Sequence, residues 1–398
     1  MAGIIIKVSI ENLWGNNMQT LTVDKLKAGM VVAEPVLTKR GQTISKAGEE
    51  LTNQLIAKLT FYKIESVSVE DIEEEEVAAE PAPAEEKPGK SPAKPQNPES
   101  RVSDQITYTQ RLKASPAFKK FQSDYAINIA YLQETLKKIA DGGDSSCTGD
   151  LLNKCEALFK SKTALELFDM LSNMRNLEDP IYSHSLNVAL ISRAIGKWLK
   201  LPKDDLNTLT LAGLLHDIGK LKIPEDILNK PDRYTDAEFD VMKTHPLEGK
   251  KMLNGKGFDS RISAAALQHH ERADGSGYPR GLFDDEMDDF SCIVAIADVY
   301  DAMTSARAHR DPLCSFQVIS EFEKEGLQKY RTQYILTFLE RIANTYNNSR
   351  VILNNAKTGR VVYINKSNLS RPVIQLDNGE IINLADSVNN KLFIKSIL

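Results

Sequence analysis

The chain has 398 residues, 41% apolar and 26% charged, a balance that excludes a fully disordered protein and leaves room for two to three domains. No apolar run approaches the ~18–20 residues that cross a bilayer. The first residues also lack a leader's basic region and small-residue cleavage site, so a cytoplasmic chain is expected. The net charge is −5, but Asp71–Glu86 alone holds eight acidic residues and no basic ones; without them the remainder is +3, so the acidity is local.

Residues 1–72 read as a small α+β module. Val-rich Met30–Leu37 and alternating Ile64–Val69 suggest strands, and Leu51, Leu55, Ile56 and Leu59 fall at helical spacing within Leu51–Tyr62. This module holds no His and no Cys, so regulation or interaction is its expected role. Residues 73–104 carry six of the sixteen prolines among Ala, Glu, Lys and Ser. Such a segment buries too little apolar surface to offset its ordering entropy and reads as a disordered, acidic, Pro-rich linker.

Residues 105–346 are patterned almost wholly for helices, among them Ala126–Ile139, Ala164–Arg175, Ser185–Leu199, Leu206–Leu215, Asp236–Thr244 and Ile293–Ala306. Within this span Asp141-Gly142-Gly143-Asp144 reads as a polar loop between helices. Residues 350–398 change character: Val361–Ile364, Pro372–Leu376 and Glu380–Leu384, the last two joined by Asp377-Asn378-Gly379, read as a β-meander and a small β-domain. The expected fold is therefore multi-domain, a mainly α-helical core flanked by an α+β module and a β-domain. Cys147, Cys155, Cys292 and Cys314 form no CxxC pair and read as free thiols.

Chemistry is concentrated in the helical region. All six histidines lie between His184 and His309, a clustering that chance gives in about one sequence in a hundred. Histidine is a frequent metal ligand and acid/base group, so the cluster points to a site. His216-Asp217 closes an apolar helix; adjacent residues there point about 100° apart, and Gly219 would loosen the turn so that imidazole and carboxylate converge. Lys220 lies three residues past Asp217, placed to hold a phosphate. His184, His245, His269 and His270 sit at or near other helix ends. Asp298 lies in the apolar run Ile296–Tyr300, where a bare carboxylate is costly unless paired or metal-bound. A His-rich donor set with two carboxylates suits iron or manganese better than magnesium.

The blocks His184-Ser185, His216-Asp217-Ile218-Gly219-Lys220, His245-Pro246, His269–Pro279 and Ala297–Arg307 follow in order across 179–310, about a third of the chain. In them the chain resembles an HD-GYP domain, the branch of the HD phosphohydrolases that hydrolyses cyclic di-GMP. The resemblance implies two divalent metals. One would be held by His184, His216, Asp217 and Asp298. The other would be held by Asp217, His245, His269 and His270, with Asp217 bridging. It further implies a metal-bridging hydroxide as nucleophile, pGpG or GMP as product, and Lys220, Arg307, Arg310 and Tyr278 as substrate contacts. Pro180 stands where family members with a third metal carry glutamate, so two metals are expected. His309 is left out of the ligand set. Gly275 and Gly277 are expected in positive-φ turns, and Arg272 with Asp274 as a loop-fixing ion pair. Another cyclic dinucleotide, mixed guanine–adenine, is the alternative substrate, and a catalytically silent cyclic di-GMP sensor the alternative role. Signalling proteins reached through the terminal modules, or a second copy in a homodimer, are the further partners considered; a nucleic-acid polymer is not expected.

Overall fold

The computed structural model describes residues 18–27, 29–37, 43–52, 55–56, 59, 64–70, 112–159, 163–174, 180–230, 232–305, 312–325 and 327–398. The linker expected at 73–104, and Asp179, Arg307, His309 and Arg310, lie outside the described residues. The chain divides into two units, before and after the 105/106 boundary.

In the first unit, β1 (Met18–Thr22), β2 (Val36–Leu37), β3 (Thr43–Ser45) and β4 (Ser66–Glu70) form two antiparallel pairs, β1 with β4 and β2 with β3. Val67 and Val69 alternate inward from β4, onto Val32 and the helically spaced Leu51, Leu55 and Leu59. The strand expected over Met30–Leu37 is broken. Val31 and Val32 make single bridges to Glu50 and Val69, and a ladder forms again only at Val36–Leu37, past Pro35, which has no N–H to give a sheet.

The second unit is mainly helical. Its helices are α1 (Pro116–Ala140), α2 (Gly149–Phe159), α3 (Ala164–Asn173), α4 (Pro180–Trp198), α5 (Lys203–Leu215), α6 (Glu225–Leu228), α7 (Asp236–Met242), α8 (His245–Leu253), α9 (Ser260–Gln268), α10 (Asp289–Thr304), α11 (Ser315–Glu325) and α12 (Thr332–Thr345). Local chemistry sets several starts earlier than apolar spacing alone suggests. Ser115 caps α1 by accepting from Phe118 N, with Pro116 in the first turn, and Asp288 caps α10 by accepting from Phe290 N and Ser291 N. Thr163 and Glu166 form a reciprocal capping box on α3. Because α4 begins at Pro180, His184 lies one turn inside it.

β5 (Arg350–Leu353), β6 (Thr358–Tyr363), β7 (Val373–Leu376), β8 (Ile381–Asn383) and β9 (Ile394–Ile397) form one antiparallel sheet in the order β8-β7-β6-β5-β9. The meander runs as its alternation suggests, with Gly379 at φ +87° in the β7–β8 turn, and β9 returns to pair with β5. The sheet is not set apart from the helices. Val351, Leu353, Val361 and Ile394 belong to the same buried cluster as the helical core, and Glu323 of α11 accepts from Leu369 N and Ser370 Oγ. Alternation reveals a strand's apolar face but not what covers it.

α4 and α5 make the closest crossing. Both are buried over most of their length, and an added Cβ at Gly213 would stand 2.6 Å from Ala189 Cα. Gly213→Ala must therefore push the two helices apart, at a cost of about 1–3 kcal/mol. Gly149→Ala, where a Cβ meets nothing within 4 Å, should leave stability unchanged or slightly raised. Denaturant midpoints of both variants check the contrast.

Candidate metal centre

Five elements deliver the site. His184 comes from α4, His216 caps the C-terminus of α5, His245 opens α8, His269 caps α9 with His270 following, and Asp298 comes from the middle of α10. His216 keeps helical angles, whereas Asp217 leaves them (φ −99°, ψ 9°) and starts a 3-10 turn over Ile218–Lys222. That change of path aims both neighbours inward. Gly219 has a second role that spacing did not reveal: its missing Cβ would lie 1.9 Å from His245 O and 2.5 Å from Gly249 N, so only glycine lets this turn lie against α8.

Asp217 is the hub. Its Oδ2 lies 3.3 Å from His216 Nε2 and 3.8 Å from His184 Nε2, and its Oδ1 lies 3.3 and 3.6 Å from the Nε2 atoms of His245 and His269. His184 Nε2 is 3.1 Å from Asp298 Oδ1, and Asp298 Oδ2 is 3.8 Å from His270 Nδ1. Candidate donor atoms of Asp217, His245, His269 and His270 lie within 4.8 Å of one another, as do those of His184, His216 and Asp217. All seven residues anticipated as ligands thus converge.

The donor chemistry fits cations. His216, His245 and His269 place Nδ1 against the carbonyls of Gly213, Met242 and Ala265 at 2.7, 2.7 and 3.0 Å. A carbonyl only accepts, so Nδ1 carries the proton and each Nε2 presents a lone pair to the centre. His216 Nε2 and Asp217 Oδ1 are buried with no hydrogen-bond partner among the described residues. Burial lowers His269 to about 4 and holds His270 well below the usual imidazole value, keeping both neutral. Burial works against charge on Asp217, yet Lys220 and His216 hold it well below the usual carboxylate range. Burial also opposes charge on His184, but its bonds to Asp298 and Asp301 outweigh this and lift it to about 10.

Surrounding residues build the wall. Lys220 Nζ donates to Asp217 Oδ2 at 2.5 Å and faces a cavity of about 670 Å³, within the usual range of ligand clefts. Tyr278 stacks on His270 (ring centroids 4.6 Å apart), and Tyr234 and Arg272 also line the cavity. The loop after His270 is fixed otherwise than expected. Buried Glu271 accepts from Arg280 N and Leu282 N; Arg272 donates to the carbonyls of His269 and Glu271; Asp274 accepts from Ser276. Gly275 has the anticipated positive φ (+77°), but Gly277 is required by close approach, its missing Cβ lying 2.4 Å from Arg272 N. Asp301 accepts from His184 Nδ1, backed by Asn187 and Tyr125; no motif or spacing marks the last of these.

Residues 154–332 match the HD domain family. The blocks that resemble an HD-GYP domain lie inside that match. The chain is 39% identical over 141 residues to a cyclic di-GMP phosphodiesterase of Pseudomonas aeruginosa (35% of this chain, 34% of the relative). It is 36% identical over 178 residues to one of Thermotoga maritima (44% and 48%). A 3′3′-cGAMP-specific phosphodiesterase of Vibrio cholerae is 39% identical over 144 residues (36% and 33%). The matches span about a third to a half of the length of these relatives. No described helix is long and apolar enough to cross a membrane.

A site in which His216 Nε2 and Asp217 Oδ1 are buried without a hydrogen-bond partner among the described residues should gain stability from cations. Mn²⁺ at about 100 times its Kd should stabilise the fold by roughly 2.7 kcal/mol per ion. Asp217→Ala should abolish the gain, because its carboxylate belongs to both groups. Thermal melts with and without Mn²⁺ check this.

Proposed function

We propose that the chain is a metal-dependent phosphodiesterase that opens cyclic di-GMP to pGpG, GMP or both, lowering the level of a second messenger in the cytoplasm. The observation that carries this reading is the convergence of five imidazoles with Asp217 and Asp298, four of which, His184, His245, His270 and Asp298, line a ligand-sized cavity. His184, His216 and Asp298 would hold one divalent ion, His245, His269 and His270 the other, and Asp217 both. Iron or manganese fits this nitrogen-rich set best. When bound, the ions supply an activated water nucleophile near neutral pH and neutralise charge on the reacting phosphate.

The chain's own residues do the rest. Lys220 keeps Asp217 charged, and the remaining donors of its ammonium face the cavity for a non-bridging phosphate oxygen. Tyr278, held flat by His270, and Tyr234 offer aromatic faces to the nucleobases. Arg307 and Arg310 would contact the nucleotide on the strength of the motif. The terminal strand regions would couple the domain to signalling partners.

A second reading keeps the chemistry and changes the base. The relative from Vibrio cholerae is named for 3′3′-cGAMP, and the donor cluster itself touches no base. Protein reconstituted separately with iron(II), without oxygen, and with manganese should release pGpG or GMP from cyclic di-GMP. Faster turnover of the mixed dinucleotide would favour the second reading. Asp217→Ala should be inactive, and Lys220→Ala should keep its metal but lose about 10²–10³ in kcat, the scale for one lost electrostatic donor. Metal-replete protein that binds cyclic di-GMP without cleaving it would overturn the enzyme reading in favour of a sensor.

A further inference from the structure

The imidazoles around Asp217 are braced from behind in two ways. His216, His245 and His269 lean on main-chain carbonyls within one turn of themselves. His184 leans on a side chain: its Nδ1 lies 2.8 Å from Asp301 Oδ2. A relay continues behind that carboxylate. Asn187 Nδ2 donates to Asp301 Oδ1 at 2.9 Å, and the Tyr125 hydroxyl donates to Asn187 Oδ1 at 2.7 Å, with the Ser183 carbonyl at 3.1 Å as a second acceptor. Tyr125, Asn187 and Asp301 are all buried, on α1, α4 and α10 respectively.

The two braces differ chemically. A carboxylate behind an imidazole fixes the ring and makes its far nitrogen more basic, which strengthens a bond to a cation. A neutral carbonyl fixes the tautomer with a weaker electronic push. Asn187, itself held by the Tyr125 hydroxyl, donates to Asp301 Oδ1 and holds that carboxylate in the rotamer that meets His184.

We propose that the two cation positions are unequal: Tyr125, Asn187 and Asp301 are positioning residues that make the position served by His184 the tighter one, above the position served by His245, His269 and His270. This rests on the two-cation reading of the centre but not on which dinucleotide is cleaved. A merely structural relay would pin α1 to the core; losing it would lower the melting temperature without favouring either position.

The test is a calorimetric Mn²⁺ titration of the full chain after chelator stripping, with melting temperatures recorded in parallel. Wild type should bind two Mn²⁺ in two resolved steps. His184→Ala should remove the tighter step and His245→Ala the weaker one. Asp301→Asn should weaken the tighter step by about 10–100-fold and leave the other unchanged. Tyr125→Phe, which keeps the ring in its buried slot, should weaken the same step by roughly three- to tenfold, the worth of one hydrogen bond. If Asp301→Asn does not fold, Tyr125→Phe decides alone. Two Mn²⁺ bound with one affinity, equal weakening of both steps, an unmoved Tyr125→Phe, or loss of the tighter step in His245→Ala would each overturn the proposal and leave the two-cation reading standing. A wild type that binds no Mn²⁺ would overturn both. Cleavage of cyclic di-GMP, assayed separately, tests the substrate and bears on neither.

Discussion

Three imidazoles with Nδ1 committed to main-chain carbonyls bring their remaining lone pairs together around one buried carboxylate. A buried polar group without a partner costs roughly 2–7 kcal/mol, and here acceptor faces acceptor. Helix packing has to hold these groups against their repulsion. The observed packing is suited to that. α10 is buried along nearly its whole length, α4 and α5 touch through Gly213, and the turn after Asp217 rests on α8 through Gly219. Because a metal bound to the folded state alone adds its binding free energy to folding, cations held there would offset part of that cost. The centre is therefore a cost to the fold that bound cations would reduce.

The glycines tie the sequence motif to that packing. In His216–Lys220 the glycine is fixed by a main-chain atom of the next ligand-bearing helix, so ligand and spacer belong to one constraint. Gly277 does the same for the loop after His270, where Glu271 replaces the expected ion pair by accepting from two main-chain N–H groups. A carboxylate that ties two backbone donors fixes a loop more firmly than an exposed pair of long side chains.

The ligand-bearing residues were legible because the chemistry leaves few substitutes. Five clustered histidines, with an aspartate set inside an apolar run, are costly to keep unless they share a site. Their braces were less legible. Asp301, one turn after Asp298, reads from its spacing as a support behind a ligand or a helix-surface partner, and Asn187, three residues from His184, carries the same helical signal. Tyr125 lies 62 residues from Asn187, and nothing local marks a tyrosine in an amphipathic helix as anything but core. Helix starts came late by several residues because Ser115 and Asp288 act through caps outside the apolar pattern. Strands at 350–398 were legible from alternation, but their shared core with the helices was not, since alternation is silent on the partner.

Charge follows from the same centre. Asp298 and Asp301 line the cavity, and Lys220, which also lines it, is in direct contact with the carboxylate of Asp217. A phosphodiester approaching these carboxylates would meet like charge. The two proposed divalent ions would reverse the balance, adding four positive charges against three carboxylates, and Lys220 would add to the attraction. The residues that would hold the ions thus also decide, through that charge, how hospitable the cavity is to a dianionic dinucleotide. The whole-chain charge of −5 is uninformative here, because Asp71–Glu86 carries eight acidic residues and the remainder is +3. Field lines in a walled cavity are set by the nearest charges, and bound cations would change their sign.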